Sequence, residues 1–206
     1  MDTATKTNPS TTAKPSYLGL LNAISLAEAG AGVYLEAWAN ATSDEDLACC
    51  LRLVAARETS HGDVFCRRIQ ELGFDLLQKP DPGAAERLAK VANPKVSDLE
   101  KVGAEREEQD PFGDIDRQIA DGIFDPLTEK LMVWYIAEER DSGTLLRDAY
   151  AKVRAGGAGA PTNGAIATNG ATATAAMPSA DAQALMSCMT AGFDRLEKAL
   201  TKLAKR

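Results

Sequence analysis

Leu47, Leu51, Val54, Glu58, His61 and Phe65 are spaced 4-3-4-3-4 along the chain. On a helix that spacing puts all six side chains on one face, and a face of large apolar residues normally turns toward a core. This face carries two ionisable groups to a place where an unpaired charge is costly. His61 is the only histidine in 206 residues. A metal ion is one partner that makes such burial tolerable. Glu-x-x-His is also the i, i+3 ligand pair of metal sites built inside helix bundles.

Similar stripes run through the rest of the chain, and strand-like alternation is nearly absent, so the expected fold is all-α. Helix A is predicted from about Ser16 to Ala41, with the stripe Tyr17, Leu21, Ile24, Glu28, Ala31, Leu35, Trp38. Helix B follows from Ser43, a candidate N-cap with Asp46 three residues on, to about Leu72 before Gly73. Pro80, Pro82 and Pro94 flank a short helical piece near Ala84 to Ala92. Helix C is expected from about Ser97 to Ile123, with Glu105, Glu108, Phe112, Ile115 and Ile119 on its stripe. Asp110-Pro111 kinks or divides it. Helix D starts at Asp125-Pro126 and ends near Ala155, with the stripe Leu127, Leu131, Trp134, Glu138, Asp141, Leu145.

Helices B and D superimpose under a shift of 80 residues. Leu47 falls on Leu127, Leu51 on Leu131, Val54 on Trp134, Glu58 on Glu138, His61 on Asp141 and Phe65 on Leu145. The same shift carries Glu28 onto Glu108. The pattern is a pair of helical hairpins joined by a long crossover. Each hairpin offers one Glu from its first helix and Glu-x-x-(His or Asp) from its second.

Glu28, Glu58-Thr-Ser-His61, Glu108 and Glu138-Glu-Arg-Asp141 together resemble the ferritin-like superfamily of ferritins, bacterioferritins and rubrerythrins. The resemblance covers about residues 16–155, and the strings LRLVAARETSHGDVF and DPLTEKLMVWYIAEERDSGTLL look like the second and fourth bundle helices of rubrerythrin-type proteins. It implies an antiparallel four-helix bundle with two irons per chain, manganese being the alternative. It also implies oxidation of Fe(II) or reaction with dioxygen or peroxide. Carried across, Glu58 or Glu138 would bridge the metals, His61 would bind through a ring nitrogen, and Glu28 and Glu108 would be terminal or chelating ligands. Tyr34 would be a hydrogen-bonding neighbour of the ligands. The sequence departs from the family at Asp141, which stands where bacterioferritins and rubrerythrins have a second His, although ferritins manage with one so that the site would be asymmetric, and at Glu108, three residues before Pro111. Glu139 adjoins Glu138, and the stripe favours Glu138 as the inward one. A second reading keeps the bundle but not the chemistry: a degenerate, non-catalytic scaffold or adaptor whose buried Glu and His pair with arginines.

The net charge of −7 argues against general binding to nucleic acid or anionic membranes. No stretch of about 18 apolar residues exists, so no membrane span is expected; residues 1–15 read as a disordered tail rather than a secretory signal, and a cytoplasmic protein is expected. Cys49, Cys50, Cys66 and Cys188 show no C-x-x-C spacing and read as free thiols, so any electron donor would be a separate protein. Residues 156–178 are a low-complexity linker. In residues 179–206, Ala182, Met186, Met189, Phe193, Leu196, Leu200 and Leu203 keep a 4-3 alternation. That is the pattern of a helix that pairs with a second copy or docks on a partner.

Overall fold

The computed structural model describes residues 13–103 and 110–157. Glu108, most of the 156–178 linker and the 179–206 helix therefore lie outside the described residues, as does most of the 1–15 tail. Among the described residues the protein is all-helical, with no strand and six helices. Three are long: α1 (Leu18–Ala41), α2 (Glu45–Glu71) and α6 (Pro126–Gly157). The others, α3 (Ala84–Val91), α4 (Asp98–Val102) and α5 (Gly113–Ala120), are short.

α1 and α2 form a tight hairpin. The cap of α2 is Asp44 rather than Ser43: the Asp44 carboxylate accepts the Leu47 N–H at 3.0 Å, one residue later than expected. Cross-helix contacts pair Ser25 with Gly62 and Ala39 with Arg52, so the two helices run antiparallel. Two glycines let them approach closely. A Cβ at Gly62 would lie 2.9 Å from the Ala29 backbone nitrogen, and one at Gly32 would lie 2.4 Å from Thr59 Oγ1. In return, Ser25 Oγ donates to the Gly62 carbonyl at 2.8 Å.

α6 packs along α2 in the opposite direction, with Arg68 joined to Asp125 at one end and Cys50 reaching the Leu145 carbonyl at the other. It therefore runs parallel to α1, as the contacts Tyr17–Asp125, Tyr135–Glu28 and Trp38–Tyr150 also require. Asp125 ties the start of α6 down by accepting from Tyr17, Arg68, Thr128 and the Leu127 N–H. These donors hold its carboxyl well below the ordinary carboxylate range, although partial burial opposes them.

Helix C is not one continuous helix among the described residues. Gly103, at φ 69°, ends α4, and α5 begins only after Pro111. The positive φ with extended ψ of Gly103 is a conformation open to glycine that cannot continue a helix, and proline removes a helix donor. α4 is anchored at the α1–α2 turn, where Asp98 accepts from Trp38 Nε1 and Thr42 Oγ1. α5 lies against α6, with Arg140 bonding Asp110 and Asp116.

The buried face of α6 is one residue away from the stripe read in the sequence. The interior residues are Thr128, Met132, Tyr135, Glu139, Ser142 and Leu146, which also follow a 4-3-4-3-4 spacing. Leu127 is 55% exposed and Trp134 37% exposed. α6 carries two adjoining apolar stripes, and its contacts with α1 and α5 select the inner one.

The core is split in two. One apolar cluster gathers Leu21, Ile24, Phe65, Ile69, Met132 and Tyr135; the other gathers Leu35, Trp38, Leu51, Val54 and Leu146. Along each long helix, polar residues fall between the two clusters: Glu28 on α1, Glu58 and His61 on α2, Glu139 and Ser142 on α6. Contrary to the expectation that no segment has membrane-spanning length and hydropathy, α1 is long and apolar enough to cross a membrane by length and composition. Here half of its most apolar window is buried within the protein, with Glu28 among the buried side chains.

Candidate metal centre

Glu28, Glu58, His61 and Glu139 converge in this polar layer, with ligand atoms that all lie within 4.8 Å of one another. Three helices supply them, and the 4-3 spacing explains how. On α2, Glu58 and His61 occupy adjacent steps of the stripe and point the same way. On α1, Glu28 lies four residues beyond Ile24 on the same face. On α6, Glu139 lies four residues beyond Tyr135.

His61 is fully buried and held between two neighbouring glutamates. Glu138 Oε2 is 2.9 Å from Nε2, and Glu139 Oε1 is 3.0 Å from Nδ1. The two contacts differ. The Nε2–Glu138 pair has hydrogen-bond geometry, whereas Nδ1 and Glu139 Oε1 are buried and close yet neither has an aligned hydrogen-bond partner. With the ring proton on Nε2, the Nδ1 lone pair faces a carboxylate oxygen. Two lone pairs at that distance repel unless a positive species, a second ring proton or a metal ion, lies between them, and the raised pKa of His61 favours the proton where no metal is bound. Two cis ligands, each ~2.1 Å from an octahedral ion, lie ~3 Å apart, so the spacing of these orphaned atoms suits a shared metal ion.

The electrostatics fit the same description. Burial pushes the Glu28 carboxyl well above its ordinary value, and its protonated hydrogen bond to Glu58 pushes it further. Burial likewise raises Glu58 to about 7. The pKa of His61 is raised by its two glutamates despite opposing desolvation. Tyr135, whose hydroxyl donates to Glu28 Oε1 at 2.7 Å, has its pKa raised by burial and by the nearby carboxylates. Without a metal, the buried Glu28 and Glu58 carboxyls tend to retain protons. With one, they would release them.

Of the residues expected from the sequence, Glu28, Glu58 and His61 are brought together, and Glu108 lies outside the described residues. Glu138 is adjacent but 34% exposed, and it reaches His61 from the solvent side. Glu139, which the stripe had placed outside, is 9% exposed and joins the group. Asp141 does not: it is 59% exposed and pairs with Arg57 at 2.7 Å. Ser142 takes the interior position instead. Tyr34 is also elsewhere, donating to the Ala84 carbonyl at 3.1 Å, and the tyrosine on the ligands is Tyr135. The missed signal was the second 4-3 register of α6, in which Thr128 and Ser142, small polar residues that fit a crowded interface, flank Met132, Tyr135 and Glu139.

Cys49, Cys50 and Cys66 are free thiols and do not belong to this group. Comparison with protein-family models, curated proteins and solved structures finds no match to this chain.

Proposed function

We propose that this chain is a ferritin-like metal protein whose centre is formed by Glu28, Glu58, His61 and Glu139. The observation that carries the reading is the convergence of four potential ligands from three helices, with buried His61 Nδ1 and Glu139 Oε1 facing each other at 3.0 Å without hydrogen-bond alignment. In this reading α1, α2 and α6 are three walls of a four-helix bundle, and α4 and α5 belong to the fourth. Three carboxylates with one imidazole form a hard, oxygen-rich set that suits iron or manganese better than zinc or copper(I). Such an ion, when bound, supplies redox chemistry with dioxygen or peroxide, including oxidation of Fe(II) itself.

The chain's own residues have separable parts in this. His61 offers Nδ1, while Glu138 accepts from Nε2 and so fixes the tautomer and the ring orientation. Glu28 is held in place by the Tyr135 hydroxyl. Glu58 and Glu139 approach from opposite helices, and carboxylates can change denticity as the charge at the centre changes. The apolar clusters on either side keep bulk water away. On the solvent side, Glu138 and Trp134 are partly exposed, and the Trp134 ring packs edge-on against His61 at 4.9 Å. Turnover would require an electron donor on a separate protein.

A second reading, the metal-free scaffold, is favoured by one observation. Tyr135 and a shared Glu28–Glu58 proton partly satisfy the carboxylates without an ion. Metal analysis separates the two. Full-length protein loaded with Fe(II) under anaerobic conditions and freed of excess is expected to retain iron, and Glu58→Ala and His61→Ala are expected to lose it. A folded wild-type protein that retains none favours the scaffold.

A further inference from the structure

We propose that residues 179–206 of this chain fold back on α6 as an antiparallel helix and cover its exposed apolar face at Leu127, Leu131 and Trp134.

Among the described residues eight large hydrophobic side chains are exposed, and four of them, Ile123, Leu127, Val133 and Trp134, fall on the first turns of α6 or just before them. Leu127, Leu131 and Trp134 keep a 4-3 spacing and so form one seam, which stays open at Leu127 and Trp134. Farther along, at Glu138 and Asp141, the seam turns polar. The surface that needs a cover is therefore the start of α6.

The matching seam lies in the same chain. Residues 179–206 repeat the 4-3 spacing, and the last three members of their stripe are Leu196, Leu200 and Leu203. Chain length suits an antiparallel arrangement. From Leu127 to Gly157, α6 is ~45 Å long, and a helix over residues 179–206 would be ~42 Å long. A reversal after Gly157 then brings the three leucines to the start of α6. Residues 158–178, which make the connection, can span at most ~70 Å, more than any gap along this helix.

Charge selects the same direction. The segment begins with Asp181 and ends with Lys198, Lys202, Lys205 and Arg206. α6 is net acidic around its start, where Asp121, Asp125 and Glu129 outnumber Lys130, and net basic toward its end, where Arg147, Lys152 and Arg154 outnumber Asp148. Antiparallel docking sets opposite charges together at both ends, and parallel docking would set like charges together. The tether decides between this occupant and a second copy. A linked segment meets its own α6 at an effective concentration on the order of millimolar, far above that of other copies in a micromolar solution. Once docked, the segment lies over Trp134, whose ring packs on His61, and so covers the solvent side of the carboxylate group.

The test is zero-length carbodiimide cross-linking of the full chain at micromolar concentration, in an equal mixture of unlabelled and nitrogen-15-labelled protein, with the linked peptides read by mass spectrometry. The expected links join Lys198, Lys202 or Lys205 to Asp121 or Glu129, with the same isotope in both halves. Mixed-isotope links at those residues would assign the face to a second copy and overturn the proposal, and so would the absence of any link between them. The full-length double variant Leu196→Asp, Leu200→Asp is expected to lose the links and to show stronger acrylamide quenching of tryptophan fluorescence. Trp38 is buried, so the change reports Trp134. Quenching that stays as in the unsubstituted chain overturns the proposal.

Discussion

Glu138 accepts from His61 Nε2 at 2.9 Å, and this contact turns the opposite ring nitrogen toward the buried carboxylates. Glu138 and Glu139 are neighbours about 100° apart on α6, so they straddle the imidazole, one from solvent and one from inside. Their substitutions should therefore differ. Glu138→Ala is expected to weaken metal binding about ten- to a hundredfold, the usual scale for removing a residue that orients a ligand. Glu139→Ala removes a ligand and should cost more. Competitive titration against a chelator of known affinity checks the ranking, and the reverse order would contradict it.

The metal-free protein should lose stability as pH rises through the range of its raised carboxyls. Burial lifts Glu58 from 4.5 to about 7, and Glu28 is lifted as well. The folded state therefore binds protons that the unfolded chain has released, and stability falls with pH wherever that holds. His61, whose pKa is also raised, acts with the same sign above its unfolded value. The effect of Glu58 alone is on the order of 3 kcal/mol, or on the order of 10 °C in Tm, between about pH 5 and 7. Bound metal replaces the protons, so the loaded protein should lack this decline. Thermal melts of both forms across that range check it; a metal-free Tm that climbs with pH contradicts it.

Two glycine substitutions should have opposite signs. A Cβ at Gly62 meets the Ala29 backbone at 2.9 Å, beside Glu28 on one helix and His61 on the other. Gly62→Ala should push α1 and α2 apart, cost about 1–3 kcal/mol and loosen the metal site. Gly30, on the same α1, has nothing within 4 Å of its would-be Cβ. Gly30→Ala should instead stabilise by about 0.5–1 kcal/mol. Chemical denaturation of the two variants measures both.

Asp141→Ala should leave metal affinity unchanged and shift stability by less than about 1 kcal/mol, because its ion pair with Arg57 is largely exposed. A large loss of metal in this variant would restore the ligand role that the stripe of helix D suggested.

The long helices and three of the four candidate ligands could be read from residue spacing because the stripes drawn through α1 and α2 are the faces that the structure buries. Glu28, Glu58 and His61 lie on those stripes, and all three are buried. α6 was ambiguous for a physical reason. Leu127, Leu131 and Trp134 form one plausible interior face and Met132, Tyr135 and Ile136 another, and periodicity alone does not rank them. Only the neighbours decide: Glu28 and Phe112 pack on Tyr135 and leave Trp134 at the rim. The break in helix C followed from Gly103 taking a positive φ with extended ψ, an option that glycine permits but does not announce.

The most direct test of the centre is anomalous diffraction from crystals of the Mn(II)- or Fe(II)-loaded protein, collected above the metal's absorption edge. The account predicts an anomalous peak within bonding distance of His61 Nδ1 and the carboxylates of Glu28, Glu58 and Glu139. A loaded crystal with no peak there, or with its peak on Glu138 and Asp141 instead, would contradict it.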